Sequence, residues 1–333
     1  MKKEELLLEI KDLTTSFRID GDYYAAVDKL NLHINKNEVF AIVGESGCGK
    51  SALAMSIVRL HNPIYTKLSG EINFEGRNLL DLGETQLNHV RGAGIGMIFQ
   101  DPLSALNPLM RVGAQIEESL QYHTNLNKDE KKSRTIELLT QVGMVNPQLT
   151  YEQYPHELSG GMRQRAMIAI ALSAQPSLLI ADEPTTALDV TIQAQILDLL
   201  KQLKDELGSS IVIITHDLGV VAEIADRVAV MYAGQIVETA SVYDILKNPQ
   251  HPYTRSLLNA IPHHDDNDFN KPLYSIQGTV PTLKNMPRNG CRFATRVPEL
   301  DKNTCEKEPT YHEISPDHKV LCSCYKHFSI ERN

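Results

Sequence analysis

Three stretches of this chain are apolar with little interruption: EVFAIV at 38–43, SLLIA at 177–181 and SIVIIT at 210–215. A strand covered on one face alternates apolar and polar residues, whereas a strand covered on both reads as a continuous apolar run. Alternation does occur elsewhere, in LHI at 32–34 and INF at 72–74, as half-buried strands require. Helical spacing separates the buried runs. KSALAMSIVRL follows the first, and TIQAQILDLLKQLKDEL precedes the third and stops at Gly208, a natural helix terminator. Buried strands alternating with helices predict an α/β fold with a mainly parallel sheet. Residues from about 101 to 175 lack that strand pattern and read as a helical insertion, which takes in the apolar stretch MRQRAMIAIALSA. After about residue 250 helical periodicity fades and prolines become frequent (Pro262, Pro272, Pro281, Pro287, Pro298), so a small appended C-terminal domain is expected.

Candidate chemistry sits where the apolar runs end. GESGCGKS, from Gly44 to Ser51, follows EVFAIV and opens a helix, which is the context of a phosphate-binding loop. Gly44, Gly47 and Gly49 allow a bend whose N–H groups converge on a β-phosphate, with Glu45, Ser46 and Cys48 between them. Lys50 brings a mobile positive charge to the β- and γ-phosphates, and the Ser51 hydroxyl reaches Mg2+. Cys48 reads as a small filler. SLLIADEP ends in Asp182 and Glu183 before a chain-breaking proline. Asp182 is placed to hold a Mg2+ water, and Glu183 to polarise the water that attacks a γ-phosphate. SIVIITHD delivers His216 at another strand end, where ligands collect in open α/β sheets, so His216 is assigned to the γ-phosphate. Gln100, closing the apolar run in MIFQ, is a candidate for Mg2+ and the attacking water.

A second anion site is suggested by LSGGMRQR at 158–165. The first turn of a helix presents unpaired N–H groups and partial positive charge. Ser159, Gly160 and Gly161 clear side chains from that end, and two arginines follow.

Composition narrows the class. The chain has 333 residues, 42% hydrophobic and 23% charged, which is ordinary for a soluble globular protein of about two domains. A net charge of -9 argues against a general nucleic-acid binder. No apolar run approaches the ~18 residues that span a bilayer, and MKKEELLLEI is not a secretory signal, so a cytosolic location is expected. Of five cysteines, Cys291, Cys305, Cys322 and Cys324 fall in the last segment, where thiols or metal ligands are expected more than disulfides.

These parts, in this order, resemble the nucleotide-binding subunit of an ABC transporter over residues from about 5 to 260. They are the P-loop 44–51, Gln100, the LSGGM signature, Asp182–Glu183, Asp189 closing TALD, and His216. The resemblance implies a P-loop NTPase fold at 1–258, made of a RecA-like core, an antiparallel β-subdomain and a helical subdomain at about 101–175. It implies ATP and Mg2+ as ligands, and Phe17 as the aromatic residue that stacks on adenine. It also implies head-to-tail pairing of two such domains, with Ser159, Gly160, Gly161 and Asp189 meeting the nucleotide on the partner's P-loop. Each ATP would then join two chains until it is hydrolysed.

A narrower resemblance rests on FQDPLSALNP, LSGGMRQR and NPQHPYTRSLLNAIP, the last being odd for a generic linker. These are similar to the oligopeptide, dipeptide and nickel importer branch. That branch implies a second, related ATPase subunit, two permease subunits, an extracellular substrate-binding protein, no nucleic acid, and a peripheral position on the cytoplasmic face of the membrane. It also implies a C-terminal extension, here 259–333, with a cysteine cluster. The branch more often has a cysteine where this chain has Val297, and Cys324 beside Cys322 restores the count of four. A [4Fe–4S] cluster is expected there, with zinc or buried thiols as alternatives. Peptide import is the expected function. The alternatives are a nickel or metallophore importer and, in another class, a soluble ABC ATPase of DNA repair or translation.

Overall fold

The structure, a computed structural model, describes residues 5–186, 188–261, 275–296 and 308–326. Its strands in chain order are β1 (Leu6–Ile19), β2 (Asp22–Asn35), β3 (Val39–Val43), β4 (Thr66–Phe74), β5 (Arg77–Asn78), β6 (Ile95–Ile98), β7 (Leu178–Asp182), β8 (Ser210–Thr215), β9 (Arg227–Tyr232), β10 (Gln235–Ser241), β11 (Tyr311–Ser315) and β12 (His318–Leu321). Its α-helices are α1 (Lys50–Ile57), α2 (Glu84–Val90), α3 (Pro102–Ala105), α4 (Val112–His123), α5 (Lys128–Gln141), α6 (Pro147–Glu152), α7 (Gly160–Leu172), α8 (Val190–Leu207), α9 (Leu218–Ile224), α10 (Val242–Lys247) and α11 (Pro252–Asn259). The chain divides into two compact units. The first holds residues 1–8, 33–39 and 73–214, and the second holds 9–32, 40–72 and 215–333.

In the first unit β6 and β7 run parallel, with Ile98 opposite Ala181, and β7 runs parallel to β8, with Asp182 opposite Ile214. Every residue of β7 and β8 is buried, as their uninterrupted apolar sequences require. The stretch expected to be a helical insertion contains α3 to α7 and no strand among its described residues. Within it Val112, Ile116, Leu120, Leu138, Leu139 and Ile168 are buried. The longest helix, α8, turns Ile196, Leu197, Leu199, Leu200 and Leu203 inward. Asp189 caps its start, and Gly208 in the left-handed conformation (φ 66) ends it.

The second unit has antiparallel and parallel parts. The long strands β1 and β2 are joined by Asp20 and Gly21, both at positive φ (51 and 99), as a two-residue hairpin turn requires. β3 pairs parallel with β9, which returns antiparallel as β10. The chain after 259 does not appear as a separate unit. Its described hairpin, β11 and β12, adds to β10, with Glu238 opposite Val320 and Thr239 opposite Lys319. Helical order also persists past residue 250, in the eight-residue α11. Periodicity is hard to read in so short a helix, and its Pro252 start resembles a linker.

Candidate nucleotide and signature sites

The phosphate loop lies in the second unit, between β3 and α1. Its three glycines do different work. A Cβ on Gly44 would fall 2.2 Å from the Met231 carbonyl oxygen, and one on Gly49 2.6 Å from that of Ala26, so both are needed for close backbone packing. Gly47, at φ 79, has nothing near it and is needed for its left-handed turn alone. Lys50 is buried, and its ammonium donates to the carbonyls of Gly44 (2.8 Å) and Glu45 (3.1 Å), inside the curl of the loop. The Ser46 and Ser51 side chains are exposed. Cys48 is buried, and desolvation pushes its thiol pKa up against the lowering pull of Lys50, which fits a filler and not a reactive thiolate.

Two residues from the last quarter of the chain meet this loop. The hydroxyl of Tyr253 accepts from the Glu45 N–H at 2.8 Å. Arg296 binds the Glu45 carboxylate through both guanidinium arms, at 2.6 and 3.1 Å. Only HPYTR, conspicuous as a linker sequence, pointed towards the first of them.

Phe17, half-buried on β1, packs against His61 with ring centroids 5.1 Å apart and planes at 80°. The His61 Nε2 in turn lies 2.9 Å from the Ala52 carbonyl oxygen of α1. His216 is exposed in the second unit, directly after β8.

The acidic pair belongs to the first unit. Asp182 is buried at the end of β7. Glu183 follows in the left-handed region (φ 48), a strained conformation for a residue with a side chain. Its N–H donates to the Ile214 carbonyl (2.8 Å), and its Oε2 accepts from Gln100 Nε2 (3.0 Å) and Thr186 Oγ1 (2.8 Å). The glutamine and the glutamate, 83 positions apart, are thus brought together.

The signature residues also converge. Ser159, Gly160, Gly161, Met162, Arg165, Leu188, Asp189 and Ile192 line one pocket of about 310 Å3 at the start of α7. Ser159 caps that helix by accepting from the Met162 N–H. A Cβ on Gly160 would meet nothing within 4 Å, whereas one on Gly161 would meet Ile192 Cγ2 at 3.0 Å. Only the first glycine clears the pocket; the second lets α7 pack against α8. Of the two arginines expected to favour an anion, Arg165 lines this pocket and Arg163 is not among its lining residues. Arg163 Nε donates to the Pro155 carbonyl (2.8 Å), and Arg165 Nη2 to Gln195 Oε1 (3.0 Å).

The donor types suit the ligands in one case and not in the other. A serine hydroxyl, an aspartate carboxylate and an amide oxygen are hard oxygen donors of the kind Mg2+ takes, and a glycine loop with a lysine inside its curl has the donors a phosphate needs. A metal on the cysteines finds no such support. Cys305 lies outside the described residues, and no group of three or more potential ligands is assembled among those described. Cys322 and Cys324 are buried with their sulfurs 3.6 Å apart, in an apolar cluster with Val320, Ala294, Ile314 and Tyr325. Cys322 and Cys324 pack as core residues and Cys291 is half-buried outside their cluster, so neither the [4Fe–4S] cluster nor zinc is supported.

Residues 27–186 match the family model described as ABC transporter, and residues 237–305 match that of the oligopeptide/dipeptide transporter C-terminal region. The probable peptide ABC transporter ATP-binding protein y4tR of Sinorhizobium fredii is 50% identical, covering 96% of this chain and 95% of its own. The oligopeptide transport ATP-binding protein OppD of Bacillus subtilis is 52% identical, covering 94% and 87%. Among solved structures, the ATP-binding cassette MJ0796, in a dimeric post-hydrolysis state with ADP and Pi, aligns at a TM-score of 0.64. It is 29% identical and covers 71% of this chain and 99% of its own.

Proposed function

Because this chain belongs to the ABC transporter family, we propose that it is the ATP-hydrolysing subunit of an importer of di- and oligopeptides. The observation that carries the reading is the strained Glu183 held by Gln100 and Thr186 at the end of a buried strand. A carboxylate fixed in direction at that position is what a general base for water requires. Peptide import is favoured over nickel import by relatives named for peptide transport along nearly the whole chain and by the match of the C-terminal region.

Each residue then has a role. Phe17 stacks on adenine, and the backbone from Gly44 to Gly49 cradles the phosphates. Lys50 neutralises their charge. Ser51, Gln100 and, through a water, Asp182 would hold Mg2+, which on binding would offset charge developing on the phosphates. Glu183 orients and deprotonates the attacking water, and His216 donates to the γ-phosphate. Ser159, Gly160, Gly161 and Asp189, which share one pocket, receive the nucleotide held by a second, related ATPase subunit. ATP joins the two subunits and ADP does not, so hydrolysis releases the link, a population shift driven by differential affinity. Two permease subunits and an extracellular binding protein complete the importer. No helix among the described residues is long and apolar enough to cross a membrane; the subunit docks peripherally on the permeases at the cytoplasmic face.

Replacing Glu183 with Gln tests this. ATPase activity of the assembled importer should fall at least about 100-fold, with ATP binding and subunit pairing retained and uptake of labelled peptide lost. An unchanged rate would remove Glu183 from the chemistry, and uptake of Ni2+ in place of peptide would reassign the cargo.

A further inference from the structure

The HPYTR segment and the region after 275 have no part in the roles above, yet both touch the phosphate loop. Tyr253 stands in the first turn of α11, and its own N–H is capped by His251 Nδ1 at 3.0 Å. Its ring is buried against Tyr232 and Phe293, with centroids 4.6 and 5.3 Å away. Burial raises the pKa of its hydroxyl, so the group keeps its proton while accepting from the Glu45 N–H. Arg296 is as firmly placed. Beyond its two bonds to Glu45, its Nε donates to the Gln277 carbonyl (2.7 Å) and its Nη2 to that of Gly278 (3.1 Å). The guanidinium also lies 5.8 and 5.9 Å from the ring centroids of Tyr232 and Phe293. The Arg296 side chain is 4% exposed and that of Glu45 28%, so this pair escapes much of the screening that weakens surface pairs.

A loop with glycines at 44, 47 and 49 has wide conformational freedom, and fixing each residue carries an entropic cost. If the chain orders the loop before ATP arrives, binding no longer bears that cost, and apparent affinity rises with the competent fraction. We propose that the C-terminal region is a working part of the nucleotide site: Tyr253 and Arg296 grip Glu45 from its backbone and its carboxylate and hold the phosphate loop in its binding shape. Both are positioning residues, since each acts through its contact with Glu45. The proposal rests on the reading of 44–51 as the ATP site.

Two single changes remove the two grips, Tyr253→Phe and Arg296→Gln. Tyr311→Phe is the matched control, because its hydroxyl ties the same region to the Ile236 carbonyl (3.1 Å) and not to the loop. ATP binding is measured on the full chain, and KM and kcat on the assembled importer. Each grip variant should weaken ATP binding and raise KM about tenfold, roughly 1.4 kcal/mol, with kcat within about twofold. Tyr311→Phe should do neither. Glu45→Gln, made from the loop side, should weaken binding and make a further Arg296→Gln change nearly silent. Arg296→Lys should restore part of the affinity, since it keeps charge without the two-armed geometry. Unchanged ATP affinity in Tyr253→Phe and Arg296→Gln chains that melt normally would overturn the proposal. So would an equal loss in Tyr311→Phe, or a fall in kcat at constant KM. Lys50→Ala separates this failure from failure of the site itself. If the wild type binds ATP and Lys50→Ala does not, the loop is the ATP site whichever way the grip variants behave.

Discussion

The neighbouring glycines of the signature show how one residue type can serve two ends. A side chain on Gly160 would point into open space, and one on Gly161 would press on Ile192 at 3.0 Å. Gly160→Ala should therefore leave the melting temperature unchanged or slightly higher, because alanine favours the first turn of a helix. Gly161→Ala should destabilise by about 1 kcal/mol through overpacking between α7 and α8. Function should sort the other way. If the pocket receives a partner's phosphate, Gly160→Ala obstructs it and lowers ATPase activity of the assembled complex by at least about tenfold, while the isolated chain still binds ATP. Thermal melts and ATPase rates on the two variants check both halves. Equal activity in Gly160→Ala and wild type would mean that this pocket meets no nucleotide.

At the scale of an element, α11 depends on an uncommon cap. His251 is buried, and its Nδ1 must lack a proton to accept from the Tyr253 N–H. Burial lowers its pKa to about 4, with Glu238 pulling the other way and Arg255 adding to the drop. The unfolded chain binds this proton below about 6.5, and the folded chain does so only near 4. Between these values the unfolded state holds more protons, so stability rises with pH there and is lost as pH falls from about 6.5 towards 4. The full span corresponds to roughly 3 kcal/mol. His251→Asn keeps a capping oxygen but does not titrate, so its melting temperature should fall less steeply than that of the wild type over this window. Parallel slopes would show that His251 is protonated alike in both states. The element had only a partial trace in the sequence. HPYTR is conspicuous, but a histidine and a tyrosine do not announce burial, and eight residues give too few turns for an apolar stripe.

For the molecule as a whole, the legible parts were those that depend on neighbours in sequence. The runs at 38–43, 177–181 and 210–215 became buried strands, and the glycine loop and the signature took up the strand-to-helix and helix-start geometry their residues require. What stayed hidden depends on distant partners. Arg296 and Glu45 are 251 positions apart, and His318 and Glu238 80 apart, so each looks like an ordinary surface charge until the chain is folded. For the same reason the region after 259 read as an appendage, although its hairpin extends β10. Glu238 shows the consequence. It is fully buried, and its carboxylate accepts from the N–H groups of Gln250 (2.7 Å) and His251 (2.9 Å) and contacts His318 Nε2 at 2.7 Å. A chain ending at residue 261 would lose His318 and the β12 partner of β10, uncover Tyr232 and Tyr253 by loss of Phe293, and release Glu45 from Arg296. Leaving a buried polar group short of a partner costs about 1–3 kcal/mol, and here it adds to the lost strand pairing and aromatic packing, against a typical total of about 5–15. The truncated chain should thus aggregate or melt far below the full chain, and ATP should restore little, because the phosphate loop loses its support in the same step. Soluble yield, melting temperature and ATP binding of the 1–261 chain measure this directly. A monomeric product that melts and binds ATP like the full chain would mean that the cassette is complete without its C-terminal region.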